Sequence, residues 1–142
     1  MTIDRELVTR KMLLIAGDLE MLRPVAAKGA ESYLQSAIDQ AVAERHLERL
    51  IGRMIDINFH LITESGGAPP ADYHASFVRL AELKILDVEF ARRIARSTGL
   101  RNRLIHEYNE IDHRRVFEGL EAALEDVPRY LQSIEQHLAP LP

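Results

Sequence analysis

One stretch decides the fold: Leu47-Glu48-Arg49-Leu50-Ile51-Gly52-Arg53-Met54-Ile55-Asp56-Ile57-Asn58-Phe59-His60-Leu61-Ile62. Its apolar residues recur at helical spacing, and they lie on more than one face of the helix that they predict. A helix that is wet on one side needs only one apolar stripe. The segment therefore indicates a helix that is covered on several sides, and the pattern extends it upstream to give one long second helix from Ala30 to Ile62.

Two arrangements would cover such a helix. One stripe can face the core of the chain while another faces a second subunit, or the whole helix can lie at the centre of a monomeric bundle. The spacing alone leaves both open. His60 lies inside the apolar run, which favours a packed and hydrogen-bonded histidine over a metal ligand.

Helical spacing continues through the rest of the chain, and the helix boundaries are marked by capping residues. A first helix begins near Asp4, a residue type preferred at the N-cap, and Pro24 is expected to end or kink it. Residues 63–72 are rich in glycine and proline and predict a loop. Further caps are expected at Asp72, Asp87 and Asp112, with Pro128 kinking the last helix. The fold class is therefore all-α, an antiparallel bundle of about five helices in a single domain over residues 1–142.

Composition narrows the functional classes. The chain has 142 residues, 46% of them hydrophobic, a formal net charge of −4 and no cysteine. The lack of cysteine excludes disulfides, thiolate zinc sites and cysteine nucleophiles. Because the whole molecule is not a polycation, any nucleic-acid contact needs a local basic patch. Seven arginines that could form such a patch lie close together in the sequence; they are Arg92, Arg93, Arg96, Arg101, Arg103, Arg114 and Arg115.

The N-terminus is charged and has no signal-peptide core. No apolar run approaches the length of a membrane span. We therefore expect a protein that does not enter the membrane and is located in the cytoplasm.

One segment in this arginine-rich region has the residue types of phosphoryl chemistry: Arg101-Asn102-Arg103-Leu104-Ile105-His106-Glu107-Tyr108. Arginine is a permanent cation whose fork matches a phosphate. Histidine can give or take a proton near neutral pH. The segment has no serine or cysteine nucleophile, so the substrate would have to supply the attacking group. RNA does so through the 2′-hydroxyl beside each phosphodiester.

The helical register places Asn102 and His106 on one face, four residues apart. Arg101 and His106 are about 140° apart if both lie on one regular helix. Three arrangements remain open: Arg101 lies at an irregular helix start after Gly99, its long side chain wraps round the helix, or two copies of the motif meet across a dimer. Leu104 and Ile105 are expected to anchor the segment, leaving Arg101, Asn102, His106 and Tyr108 to project.

A metal centre is the competing interpretation of the histidines. Glu110 and His113 form one Glu-X-X-His pair, but a di-iron bundle needs two such pairs and further carboxylates, and the chain has no second pair. His46, His74 and His137 are isolated in sequence and are expected at the surface. No metal and no cofactor is therefore predicted.

The spacing Arg101, four residues, His106, Glu107, Tyr108 resembles the Arg-X4-His-X-Tyr motif of the HEPN domain, specifically of the HepT-like toxins. Asn102 after the arginine and the long second helix ending in residues 56–62 also resemble that family. The resemblance covers essentially the whole chain. It implies a homodimeric, metal-independent endoribonuclease toxin with the motif in the dimer cleft.

The resemblance also implies a partner, a minimal nucleotidyltransferase (MNT) antitoxin that transfers AMP to the motif tyrosine, here Tyr108. Arg101 and His106 are then the predicted catalytic residues, and Asn102 and Tyr108 position the substrate. Arg96 and Arg103 are candidates for RNA binding. The alternative function is a non-enzymatic helical module that docks a nucleotidyltransferase, or binds RNA or a nucleotide, through the same residues.

Overall fold

The computed structural model describes residues 3–107 and 109–139, and every regular element in those ranges is a helix. In chain order the helices are α1 (Arg5–Ala27), α2 (Ala30–Leu34), α3 (Ala37–Glu64), α4 (Tyr73–Glu82), α5 (Val88–Ile94), α6 (Ser97–His106) and α7 (His113–Leu138). The predicted all-α class is confirmed. The described chain has seven helices where about five were expected.

Two local breaks lie where the periodicity does not place them. The predicted second helix is interrupted at residues 35–36, where Ser36 takes an extended conformation and accepts a hydrogen bond from the backbone N–H of Asp39. The expected break at Gly99 is wrong. The chain turns at Ala95 and Arg96 instead, so Gly99 lies inside α6. A glycine inside a helix lowers its stability by about 1 kcal/mol relative to alanine.

The predicted caps are confirmed at Asp4, Asp72, Asp87 and Asp112. Each carboxylate accepts a backbone N–H from the first turn of its helix, which satisfies a donor that has no partner within the helix. Pro24 does not end α1, which continues to Ala27. Helix α7 likewise runs through Pro128 without interruption.

Helix α3 lies at the centre of the bundle and packs against α1, α2, α4, α6 and α7. Its apolar residues from Leu47 to Ile62 are therefore almost all buried within the chain, whereas Ile38 near its start is 78% exposed. The other helices of the same chain therefore cover the apolar residues from Leu47 to Ile62, whereas a second subunit facing the helix stays a prediction.

Buried polar groups tie the outer helices to α3. The carboxylate of Asp18 on α1 is 4% exposed, and it accepts from Nη1 of Arg53 at 2.6 Å and contacts Nδ1 of His46 at 2.8 Å. His46 was expected as an isolated surface residue, and this pairing corrects that. His60 is hydrogen-bonded as predicted, since its Nε2 accepts from the backbone N–H of Asp4.

A second network crosses the bundle from α7 to α4. The hydroxyl of Tyr130 donates to Oδ1 of Asn58 at 2.6 Å, and Nδ2 of Asn58 donates to Oγ of Ser76. Ser76 in turn donates to the carbonyl of Tyr73 at 2.7 Å. The three side chains are fully buried, so burial raises the pKa of Tyr130 well above its ordinary value. The network fixes the start of α4 relative to α3.

No helix in the described part of the chain is long and apolar enough to cross a membrane.

Removing the Asp18 carboxylate tests the link between α1 and α3. We expect Asp18→Ala to lower the free energy of unfolding by about 3–5 kcal/mol, because the Arg53 guanidinium keeps its charge and loses its buried partner. Urea denaturation followed by circular dichroism measures the change. Glu20→Ala, on the exposed side of the same helix, is the control and should change stability by less than about 0.5 kcal/mol. Equal effects of the two substitutions would contradict the proposed link.

Candidate functional site

Helix α6 holds the motif, and two leucines fix it to the bundle. Leu100 and Leu104 are 6% and 7% exposed and are the buried residues of this helix. Leu100 lies against Gly119 of α7, where an added Cβ would be 2.6 Å from its Cδ2. Helices α6 and α7 therefore approach closely at this point. The expectation that the apolar residues of the motif anchor it is confirmed for Leu104, whereas Ile105 is only half-buried.

Arg101 does not project freely, as had been expected, but lies across α3. A Cβ added to Gly52 would be 3.4 Å from Nε and 3.8 Å from Nη2 of Arg101, so the missing side chain of the glycine leaves room for the guanidinium. The guanidinium carbon is 5.5 Å from the centre of the Tyr73 ring, within the range of a cation–π contact. The bundle therefore holds this cation in place.

The hydrogen bonding of Arg101 is incomplete. Among residues 3–107 and 109–139, its Nε is buried and has no acceptor. A buried donor without a partner costs free energy, so such a group calls for an explanation such as a ligand. The guanidinium borders a cavity of about 340 Å³ that is lined by Gly52, Ile55, Asp56, Phe59, Tyr73 and Arg101.

Asn102 and His106 are exposed, as predicted, and lie four residues apart on one face of α6. His106 is the last residue of the helix, and Arg101 is inside its regular part. The hypothesis of an irregular helix start at Arg101 is therefore wrong. At about 100° per residue the two side chains leave α6 about 140° apart, with Arg101 directed towards α3 and α4.

Arg96 and Arg103 lie in a different place from Arg101. Both are exposed, and together with Arg115 of α7 they border a groove of about 610 Å³ between α6 and α7, whose floor includes Leu50 and Met54 of α3. The expected basic patch is thus divided over two sides of α6. Arg93 also borders this groove, but its charge is paired, because its guanidinium forms two hydrogen bonds with the carboxylate of Asp126.

Tyr108, the remaining motif residue, lies outside the described residues. Helix α6 ends before it, with Glu107 as the C-cap.

The Glu-X-X-His pair does not act as a unit. His113 begins α7, and its Nδ1 is 3.6 Å from Oε2 of Glu44 on α3. Burial raises the pKa of the Glu44 carboxyl from its ordinary value of 4.5, and the nearby His113 partly offsets that rise. Tyr33 packs against His113, and burial raises the pKa of its hydroxyl above its ordinary value. Within the described part of the chain, no group of three His, Cys, Asp or Glu side chains could hold a metal ion.

Sequence reasoning missed Gly52, Phe59 and Tyr73 as neighbours of Arg101. A signal existed for the first, since a glycine inside an apolar helix often marks a close approach. Tyr73 follows the cap Asp72 and is 48% exposed. Nothing in the local sequence connects it with a residue 28 positions further along the chain.

Comparison with known proteins places the chain in a family. A family model described as ribonuclease HepT-like matches residues 15–134. The chain is 33% identical over 139 residues to the tRNA nuclease HepT of Aphanizomenon flos-aquae, covering 98% of this chain and 95% of that protein. A putative RNase of Archaeoglobus fulgidus is 33% identical over 84 residues, 59% of this chain and 63% of its own length.

The fold is also that of a solved toxin. The structure of the tri-AMPylated HEPN toxin of Shewanella oneidensis, in complex with an MNT antitoxin, superposes with a TM-score of 0.84 at 22% identity, covering 93% of this chain and 98% of that one. The chain belongs to the HepT-like ribonuclease family. The predicted family and the predicted enzyme class, an endoribonuclease, are confirmed.

Substitution of Gly52 tests the packing of the Arg101 guanidinium against α3. We expect Gly52→Leu to displace the guanidinium from α3, because the new side chain would occupy its space. The signal of the Arg101 Nε–H group in an NMR spectrum should then shift and exchange faster with water. Gly17→Leu is the matched control, since Gly17 is a helical glycine with no neighbouring atom within 4 Å of an added Cβ. An unchanged Arg101 signal in Gly52→Leu would contradict this packing.

Proposed function

We propose that this chain is the toxin of a toxin–antitoxin pair and that it cleaves RNA without a metal ion. Its membership of the HepT-like ribonucleases is the observation that supports this function most directly. The placement of Arg101 and His106 on one short helix adds a chemical reason. RNA, including transfer RNA, is the proposed substrate class.

The reaction uses groups that the motif supplies. The 2′-oxygen of the substrate attacks the adjacent phosphorus, a new P–O2′ bond forms, and the bond to the 5′-oxygen of the next nucleotide breaks. His106 takes the proton of the 2′-hydroxyl or gives one to the leaving oxygen. Arg101 stabilises the negative charge on the phosphoryl oxygens, and Asn102 and Tyr108 position the phosphate. The products are a 2′,3′-cyclic phosphate and a 5′-hydroxyl.

We further propose that the chain acts as a homodimer and that each site takes Arg101 from one subunit and His106 from the other. The register of α6 supports this arrangement, because the two side chains leave the helix about 140° apart. Arg101 is also held against α3, which restrains it from wrapping round α6 towards His106. A two-fold axis would bring the unlike groups of two copies together twice.

The proposed partner is a minimal nucleotidyltransferase antitoxin. The related Shewanella toxin is AMPylated and is bound to such an antitoxin, which supports the same control here. The phenolic oxygen of Tyr108 would attack the α-phosphorus of ATP, pyrophosphate would leave, and the phenolic proton would pass to a base. An AMP group on Tyr108 would add bulk and negative charge where RNA binds.

Alanine variants test the catalytic assignment. We expect His106→Ala to slow cleavage of RNA in EDTA by about 10²–10⁴-fold, the range for loss of a general acid or base. Arg101→Ala should slow it by about 10²–10³-fold, as for loss of a group that stabilises transition-state charge. His137→Ala, in the last turn of α7 as His106 is in the last turn of α6, is the control. Binding of RNA without cleavage by the native protein would favour the alternative of a non-enzymatic module.

Mixing two inactive variants tests the shared site. A dimer of one Arg101→Ala subunit and one His106→Ala subunit has one site with both residues intact, if each site spans the interface. Random exchange of subunits should therefore restore about a quarter of native activity, for two-fold symmetric dimers. If each site lies within one subunit, every site retains one substitution and the mixture stays inactive.

A further inference from the structure

The cavity beside Arg101 has the features of a nucleobase site. It has a volume of about 340 Å³, which is within the range of about 300–1,000 Å³ that small-molecule sites occupy. Its wall combines an arginine with two aromatic rings, Phe59 and Tyr73. We propose that Tyr73 stacks on the base of a nucleotide whose phosphate is held by Arg101. The proposal rests on RNA being the substrate, as argued above.

Tyr73 is suited to stacking because it is both accessible and fixed. It is 48% exposed, so a ligand can reach its ring. The Phe59 ring meets it edge to face, with 6.0 Å between the ring centres. Its carbonyl accepts from Ser76, the last member of the buried network that reaches Tyr130. An exposed aromatic ring held in one orientation offers a base its face at low entropic cost.

Arg101 supplies the second half of the site. Its guanidinium carbon is 5.5 Å from the centre of the Tyr73 ring, so a phosphate on the arginine and a base on the tyrosine can belong to one nucleotide. Its Nε, buried and without an acceptor in the described part of the chain, is a donor for a phosphate oxygen. A guanidinium binds phosphate through two parallel hydrogen bonds.

Asp56 at the rim of the cavity gives the site a preference among bases. Its Oδ2 accepts from Nζ of Lys11 at 3.1 Å, and a carboxylate has further acceptor capacity. An acceptor at this place favours a base with an exocyclic amino group, since such groups donate to carboxylates. Cytosine has this donor, and uracil has a carbonyl oxygen in the same position. The site should therefore prefer cytidine to uridine.

The test compares ligands that do and do not contain a base. The probes are inorganic phosphate and the 3′-monophosphates of cytidine and uridine, titrated into the purified protein and followed by NMR. We expect Tyr73→Leu to weaken both nucleotides by about tenfold or more, the range for loss of one stacked base, and to leave phosphate binding unchanged. Tyr73→Phe should bind like the native protein. Asp56→Asn should remove the preference for cytidine over uridine.

Val88→Ala is the matched control, since Val88 is an exposed apolar residue that begins α5 as Tyr73 begins α4. If Tyr73→Leu weakens phosphate and nucleotides by the same factor, Tyr73 only positions Arg101 and the stacking proposal is wrong. It is also wrong if the native protein binds nucleotides no more tightly than phosphate. RNA cleavage by the same native preparation tests the proposed function separately. Nucleotide binding that depends on Tyr73, without cleavage of RNA, would support the base site and contradict the proposed nuclease activity.

Discussion

The central constraint in this molecule is that most of the apolar surface of α3 from Leu47 to Ile62 is buried by the surrounding helices, so a polar side chain buried on that part of the helix must find a partner inside the protein. Asn58 meets this requirement by accepting from Tyr130 and donating to Ser76, which joins α7, α3 and α4. Arg53 meets it through the buried carboxylate of Asp18 on α1. The hydrogen bonds that satisfy α3 thus also set the positions of the helices around it.

The candidate site depends on a glycine of α3, Gly52. Because Gly52 has no side chain, the guanidinium of Arg101 can lie directly on α3. Gly119 does the same for Leu100 on the α7 side of α6. The motif helix is therefore placed by close contacts with a glycine on each neighbour, which fixes the direction of Arg101. This arrangement separates the guanidinium of Arg101 from the imidazole of His106 within one subunit. A second copy of the chain could therefore supply the group that each site lacks.

The local signals in the sequence predicted the helical class, four N-caps and the identity of the motif, because capping and helical periodicity act over a few residues. Longer-range features were less predictable. The pattern could not distinguish a helix buried by its own chain from one buried by a partner, because helical spacing shows which residues are buried and not what covers them. Nor could spacing reveal that Tyr73 meets Arg101 or that Asp18 meets His46, since these contacts depend on how whole helices pack.

The shallow anchoring of α6 has a consequence for control of the enzyme. Only Leu100 and Leu104 are buried on this helix, and Arg96 at its start provides no side-chain cap. Segments with few buried contacts open at a free-energy cost well below that of global unfolding. We therefore expect the helix that bears Arg101 and His106 to detach from the bundle at a lower free-energy cost than α1, α3 or α7. A bound molecule that stabilised the detached form would silence the protein without denaturing it.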